Sequence, residues 1–312
     1  MVSFSSSSLP RLAALVLLAA TAACTAPRNI TTSGKVTPQG EFRVAYNQNF
    51  NVATAPIAKA GSAVRSAASQ LGTQAAEGQK VNYSDAVSQV QTAALAYLVD
   101  PVQPAADLSI RYGIVPRLDA GYKYAFGSHV FDAAYQLLGP TGSVENPERG
   151  ATGGTTYASI GLQYAIQRAG LPKIPFLSDL NNLLGLSATR QDLIIPLTVS
   201  QSLGPEESIG AISYGVVYAH SWVSYGFTPS NLYNRAGTAA LPALPSQRNS
   251  FSSYGLFFNA KLGYKYVYLV PALSFYYQNY GTYTLVDGST TSFSGATFIP
   301  SLGVQFRIPS FK

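Results

Sequence analysis

From Glu41 onward the chain alternates: every second residue is bulky and apolar, and those between are small or polar. A strand whose two faces meet different surroundings produces this period of two. In one segment Leu108, Ile110, Tyr112 and Ile114 are large, while Asp107, Ser109, Arg111 and Gly113 are polar or lack a side chain. The next sets Leu118, Ala120, Tyr122, Tyr124 and Phe126 against Asp119, Gly121, Lys123, Ala125 and Gly127, and a tight Val115-Pro116-Arg117 connection makes the two a hairpin. The rule recurs at Phe42, Val44 and Tyr46, at Ile160, Leu162 and Tyr164, and at Leu302, Val304 and Phe306. It predicts about ten strands (roughly 8 to 12), an even number, beginning near residues 41, 106, 117, 129, 155, 191, 208, 252, 266 and 293. Pro196, Pro271 and Pro300 fall inside three of them. Proline cannot donate to a ladder, so each should mark a bulge or a strand end.

Alternation also describes a soluble sandwich, and the polar face decides between the two. A sandwich exterior carries many charged residues, but here that face is mostly Gly, Ala, Ser, Asn and Gln, which suits the crowded inside of a narrow barrel. The apolar face carries hardly a charge, as lipid contact requires. The fold class is therefore all-β, a closed antiparallel transmembrane barrel over residues 41–312. Connections near 115, 205 and 265 are short, while those near 57–105, 168–190, 227–250 and 280–292 are long, the asymmetry of barrels with turns inside and loops outside. The short connection at Gly127 and the long one from Gly139 to Gly154 break that rule. Tyr264, Tyr266 and Tyr268 near one turn, and Tyr276, Tyr277, Tyr280 and Tyr283 one crossing away, are expected to form interfacial girdles, as are Trp222, Tyr225 and Phe227.

Between the first two strands the residues Ile57 to Val99 change character. Ile57, Ala60, Val64, Ala68 and Leu71, and then Val87, Val90, Ala94 and Leu98, fall at helical spacing, with Gly78 as a break and Ser84 as a cap. Two short amphipathic helices are expected over 57–99, as a cap over the barrel, a plug in its lumen, or a partner-docking element.

The N-terminus reads as an export signal, with Arg11 followed by an apolar run from Leu12 to Ala23 too short to cross a bilayer as a helix. It ends at Thr21-Ala22-Ala23-Cys24, which resembles the lipobox of bacterial lipoproteins; Cys24, the single cysteine, is the expected lipidation site. Residues 25–40, polar and rich in Thr, Pro and Gly, are expected to be a tether. The run Arg111-Tyr112-Gly113 to Arg117-Leu118-Asp119-Ala120-Gly121 is similar to a hairpin found in many outer-membrane β-barrel proteins, a resemblance that implies a bacterial outer-membrane location.

Only 11% of residues are charged and 47% are hydrophobic, so a water-soluble surface is hard to build from this chain. The formal charge of +6 has no concentrated basic run, and an exported chain does not meet nucleic acid. Two histidines and one cysteine exclude a Cys/His metal cluster, and no cofactor is implied. His220 with Ser224 is the one pairing to weigh for hydrolysis, since residues four apart share a strand face and Ser221 does not. The better candidates are lumen-facing charges: Glu41, Arg43, Asp107, Arg111, Asp119, Lys123, Asp132, Lys261 and Arg307 all fall on the polar face. Cross-strand ion pairs bracing the wall are expected before a selectivity ring. The expected partners are membrane lipid and a surface or periplasmic protein, and the expected role is structural or surface-binding, with a narrow channel for small solutes and a membrane-embedded lipid hydrolase as alternatives.

Overall fold

The computed structural model describes residues 28–59, 61–125, 127–169 and 183–310; the segment expected to be an export signal, with Cys24, and the terminal Phe311-Lys312, lie outside them. In chain order the strands are β1 (Phe42–Ala53), β2 (Val81–Asn82), β3 (Gln103–Val115), β4 (Leu118–Ala125), β5 (Ser128–Leu138), β6 (Thr156–Ala169), β7 (Leu186–Ser202), β8 (Gly210–Phe227), β9 (Leu232–Tyr233), β10 (Leu244–Tyr264), β11 (Val267–Thr284) and β12 (Thr290–Ile308). The helices are α1 (Thr54–Lys59), α2 (Ser62–Ala76) and α3 (Asp85–Val99). Ten strands close into a barrel in the order β1-β12-β11-β10-β8-β7-β6-β5-β4-β3, each antiparallel to its neighbours, and β2 pairs with β9 apart from it. Closure leaves no unpaired edge, the condition for a sheet to cross hydrocarbon. Leu108, Ile110, Tyr112 and Ile114 point outward and are exposed, while Asp107 and Asp119 are buried inside. The alternation thus separates lipid side from lumen side.

All ten strands appear where alternation placed them, but β7, β8, β10, β11 and β12 run 17 to 21 residues, longer than one crossing needs. The prolines correct an expectation, because none marks a bulge or a strand end. Each interrupts pairing on one side and leaves the register unchanged: Ile160↔Leu197 resumes at Gln163↔Ile194, Asn259↔Ala272 at Leu262↔Leu269, and Asn49↔Ser301 at Val52↔Phe298. Beside Pro196 stands Gly161, where a Cβ would meet the proline ring at 2.9 Å, so the glycine makes room for it. Register shifts occur elsewhere, between Gly113/Val115, Gln136/Leu138, Leu244/Gln247 and Asn279/Thr282.

The girdle expectation is also corrected. Tyr264, Tyr266, Tyr277 and Trp222 face outward, but Tyr268, Tyr276, Tyr280, Tyr283, Tyr225 and Phe227 are buried inside. Tyrosine carries an apolar ring and a polar tip, so it suits either face and its presence does not distinguish them.

We call the end carrying the helices the mouth, and the end with the turns at 116–117 and 265–266 the base. Helix α3 sits in the mouth. Ser84 caps it, its side chain accepting from the Val87 amide, and residues on most of its circumference are buried, as in a helix surrounded by protein. Val87, Leu95, Leu98 and Val99 pack in one cluster with the inward Tyr225, Phe227, Phe251, Tyr280, Tyr283 and Phe293. Burial of each such side chain is worth about 1.5–3 kcal/mol, so α3 is held as a cork. Helix α2 packs on α3 through Ala68 and Val90.

The polar stretch before β1 is no free tether. Arg28, Asn29, Ile30, Ser33, Lys35 and Thr37 are all at most 7% exposed, because the segment threads the lumen. It begins at the mouth, where Arg28 meets Asp100, and ends at the base, where the Gly40 amide bonds the Gly113 carbonyl. Gly113 is required there: a Cβ would lie 2.0 Å from the Pro38 carbonyl oxygen. The chain then reverses at Gly40, with φ of +79°, into β1.

Candidate functional site

The lumen is the chemically distinctive part of this chain, and the strap of residues 28–40 organises it. At the mouth, Asp100 follows the last turn of α3 and is 2% exposed. Its carboxylate accepts from Arg28 at 3.0 Å, Asn51 at 2.6 Å, Tyr280 at 2.7 Å, Thr297 at 2.5 Å and Gln278 at 2.6 Å. One carboxylate thereby joins strap, cork and three wall strands. Nearby, Arg190 donates to Asp192 at 2.8 Å and to the Val99 carbonyl, fastening the end of α3 to β7.

Midway down, the Ile30 amide donates to Ser274, the Gly34 amide to Ser200, and Asn259 to the Thr32 carbonyl. The small polar residues of the inner face are thus the strap's hydrogen-bond partners. The Thr37 amide donates to Asp119 at 2.8 Å, and Arg43 donates to the Lys35 and Val36 carbonyls. At the base, Lys35 pairs with Glu206 and Lys261 with Glu207. Both glutamates lie in the turn Pro205–Glu207, with φ of 51° and 61°, a conformation that L residues adopt only when their surroundings impose it. Burial works against the charged form of Glu207, but Lys261 and Arg43 beside it outweigh burial and hold its carboxyl below the ordinary range.

The structure turns all nine charges singled out from the sequence to the lumen side, all but Arg111 buried, and brings most of them into pairs. Arg111 bridges Asp119 on the adjacent β4, at 2.5 Å, and Asp132 on β5, one strand beyond. Arg307 bonds Glu41 at 2.8 Å and also Glu145. Asp107 accepts from Asn47 and Asn49, while Lys123 lies 6% exposed within the electrostatic reach of Asp132. Sequence reasoning missed Arg28, Lys35, Asp100, Arg190, Asp192, Glu206 and Glu207. Extending the β7 alternation by a few residues would have revealed Arg190 and Asp192, which share a face with Thr198 and Ser200. The others lie outside the strands, where acids and bases read as solvated.

The long connection at 139–155, anomalous for the base, is a lid. Its Glu145 takes Arg307, its Gly142 carbonyl takes Lys35, and its Glu148 amide donates to Glu206. Burial works against the charged Glu145 carboxyl, but Arg307 beside it holds it below the ordinary range. Between strap and wall, at Arg43, Arg111 and Gln163, a cavity of about 20 Å³ has room for one water.

On the outer wall His220 bonds Ser252 of the adjacent strand at 3.0 Å rather than Ser224, which pairs with Ser246. Ser221 points inward onto Asp192. Among the described residues no carboxylate bonds either nitrogen of His220, so the orienting member of a hydrolytic triad is not supplied.

No family model and no curated protein matches the chain. Among solved structures it is similar to Ail, the attachment invasion locus protein of Yersinia pestis, at 9% identity and a TM-score of 0.32, covering 86% of this chain and 99% of that one. It is similar to Neisserial surface protein A, at 9% and 0.33, over 86% and 99%. A major outer membrane protein from Thermus thermophilus follows at 10% and 0.33, over 86% and 99%. Likenesses this distant carry no argument about function, and the fold stands on the chain's own strand pairing. A closed antiparallel wall of even strand number, with an apolar exterior and a polar interior, gives this chain the architecture of a transmembrane β-barrel.

Proposed function

We propose that the protein is a lipid-anchored outer-membrane barrel with a structural or surface-binding role and that it is not an open conduit. The observation that carries this is the occupied lumen: the strap and α3 lie inside it with most of their described side chains buried against the wall, and a cavity beside the strap holds only about 20 Å³. Passage of a hydrated solute requires continuous aqueous space, which wider barrels provide and a packed ten-stranded one does not. What remains for function is the surface, namely the helical mouth, the loops and the outer wall.

In planar bilayers at about 100 mV the purified protein is expected to give no conductance above the lipid baseline. Discrete ohmic steps would establish the channel reading instead. The anchor rests on Thr21-Ala22-Ala23-Cys24. Metabolic labelling with palmitate is expected to mark the wild-type chain and to be lost in Cys24→Ser; equal label in both would remove the anchor from this account.

A further inference from the structure

The outer wall near the mouth carries a hollow that the lumen-based account leaves unused. Strands β7, β8 and β10 lie side by side there, with Gln191, Trp222 and Ser250 level with one another and Thr189, Ser224 and Arg248 two residues further toward the mouth. Tyr164 and Trp222 line it, and the hollow, open toward the outside, measures about 800 Å³. It continues toward the rim over the small residues Ser187, Ser224, Gly226 and Ser246.

Its height on the wall is set by β8. The outward residues Ile212, Tyr214, Val216, Tyr218, His220 and Trp222 span ten residues of tilted strand. At about 3.3 Å per residue and about 40° of tilt this is about 25 Å, the height of an apolar belt. Trp222 therefore lies at the interface, where indoles concentrate, and Arg248 lies just beyond it at the level of lipid headgroups.

Arg248 is unlike the other strand cations described. Arg43, Arg111, Lys123, Arg190, Lys261 and Arg307 face the lumen and are buried or nearly so, whereas Arg248 faces out, is exposed, and has no ion-pair or hydrogen-bond partner among the described residues. A guanidinium offers a fork of donors that matches a phosphate, and the neighbouring Ser224, Ser250 and Thr189 hydroxyls can serve its remaining oxygens. Because membrane covers this face, the molecule that reaches it carries acyl chains.

We infer that this hollow binds the phosphate headgroup of an anionic membrane lipid, with Arg248 as the charge partner, Trp222 at the glycerol level and the acyl chains lying along Leu193, Tyr218 and Val216. The inference rests on the membrane reading of the barrel. The test is native mass spectrometry of the full chain released from micelles containing equal phosphatidylglycerol and phosphatidylcholine. Wild type is expected to retain one phosphatidylglycerol in preference to phosphatidylcholine. Arg248→Gln is expected to reduce that retention about tenfold, Arg248→Lys by less, and Arg149→Gln, at an exposed arginine of the base lid, not at all. Equal phosphatidylglycerol on wild type and Arg248→Gln, or no preference in wild type, overturns the site. Displacement by acyl-free glycerol phosphate would show a small-anion site and overturn the lipid assignment. Gel mobility before and after boiling separates the two levels: a barrel that shifts on boiling but lacks selectivity fails the site alone, and one that never shifts fails the membrane reading itself.

Discussion

Asp100→Ala is expected to destabilise the folded barrel by about 3–5 kcal/mol, read as a lowered guanidinium midpoint in detergent. Arg28 would be left charged and 3% exposed, Tyr280 and Thr297 would lose their acceptor, and Gln278 and Asn51 would each lose one of theirs. Removing one member of a buried pair is costly because the partner keeps its desolvation penalty without its compensation. Asp100→Asn keeps an acceptor oxygen for the hydroxyls and should lose less. Combining it with Arg28→Gln removes both charges, so the double variant should recover about 1–3 kcal/mol relative to the sum of the single changes. Strict additivity, or a loss under about 1 kcal/mol for Asp100→Ala, would mean that Asp100 does not tie strap to cork.

The strand framework was legible because period two has one physical cause, a wall with lipid on one side and an enclosed interior on the other. Residues such as Leu108, Ile110 and Asp119 obey it without exception. The strap was illegible because the same property has two causes. A stretch such as Thr31-Thr32-Ser33-Gly34-Lys35 is polar whether it lies in water or against a polar lumen, and nothing in its own residues distinguishes the two settings. The inward tyrosines were misplaced for a related reason. Tyr280 buries its ring against α3 and Tyr276 against the strap at Ile30, and the Tyr276 hydroxyl reaches the Arg28 carbonyl from 248 residues away in sequence. Helix α3 was recognised as a helix from Val87, Val90, Ala94 and Leu98, but its surroundings were not, since its thin stripe is compatible with a surface as well as a cork. Gly113 carried the missing information. It lies in the hairpin that resembles outer-membrane barrels, and its bare Cα is where the strap crosses the wall.

At the base, Lys35→Met is expected to cost about 3–5 kcal/mol, because Glu206 is buried and would keep its charge without its lysine. Lys35→Met with Glu206→Gln should regain much of that, since neither charge then needs a partner. The neighbouring Glu207 sets how the base responds to acid. Its carboxyl is held below the ordinary range by Lys261 and Arg43 against burial, so its folded pKa lies below its unfolded one. With a depressed carboxylate, the unfolded chain takes up the proton first. Its contribution is therefore complete above the unfolded value of about 4.3 and disappears as pH falls through the folded value. The guanidinium midpoint should hold nearly constant from neutral pH to about pH 5 as far as this group is concerned, and fall below about pH 4. Glu207→Gln should lower the midpoint at neutral pH, leaving Lys261 without its anion, and make the acid limb shallower. An acid limb as steep in Glu207→Gln as in wild type would assign the acid response to other carboxylates.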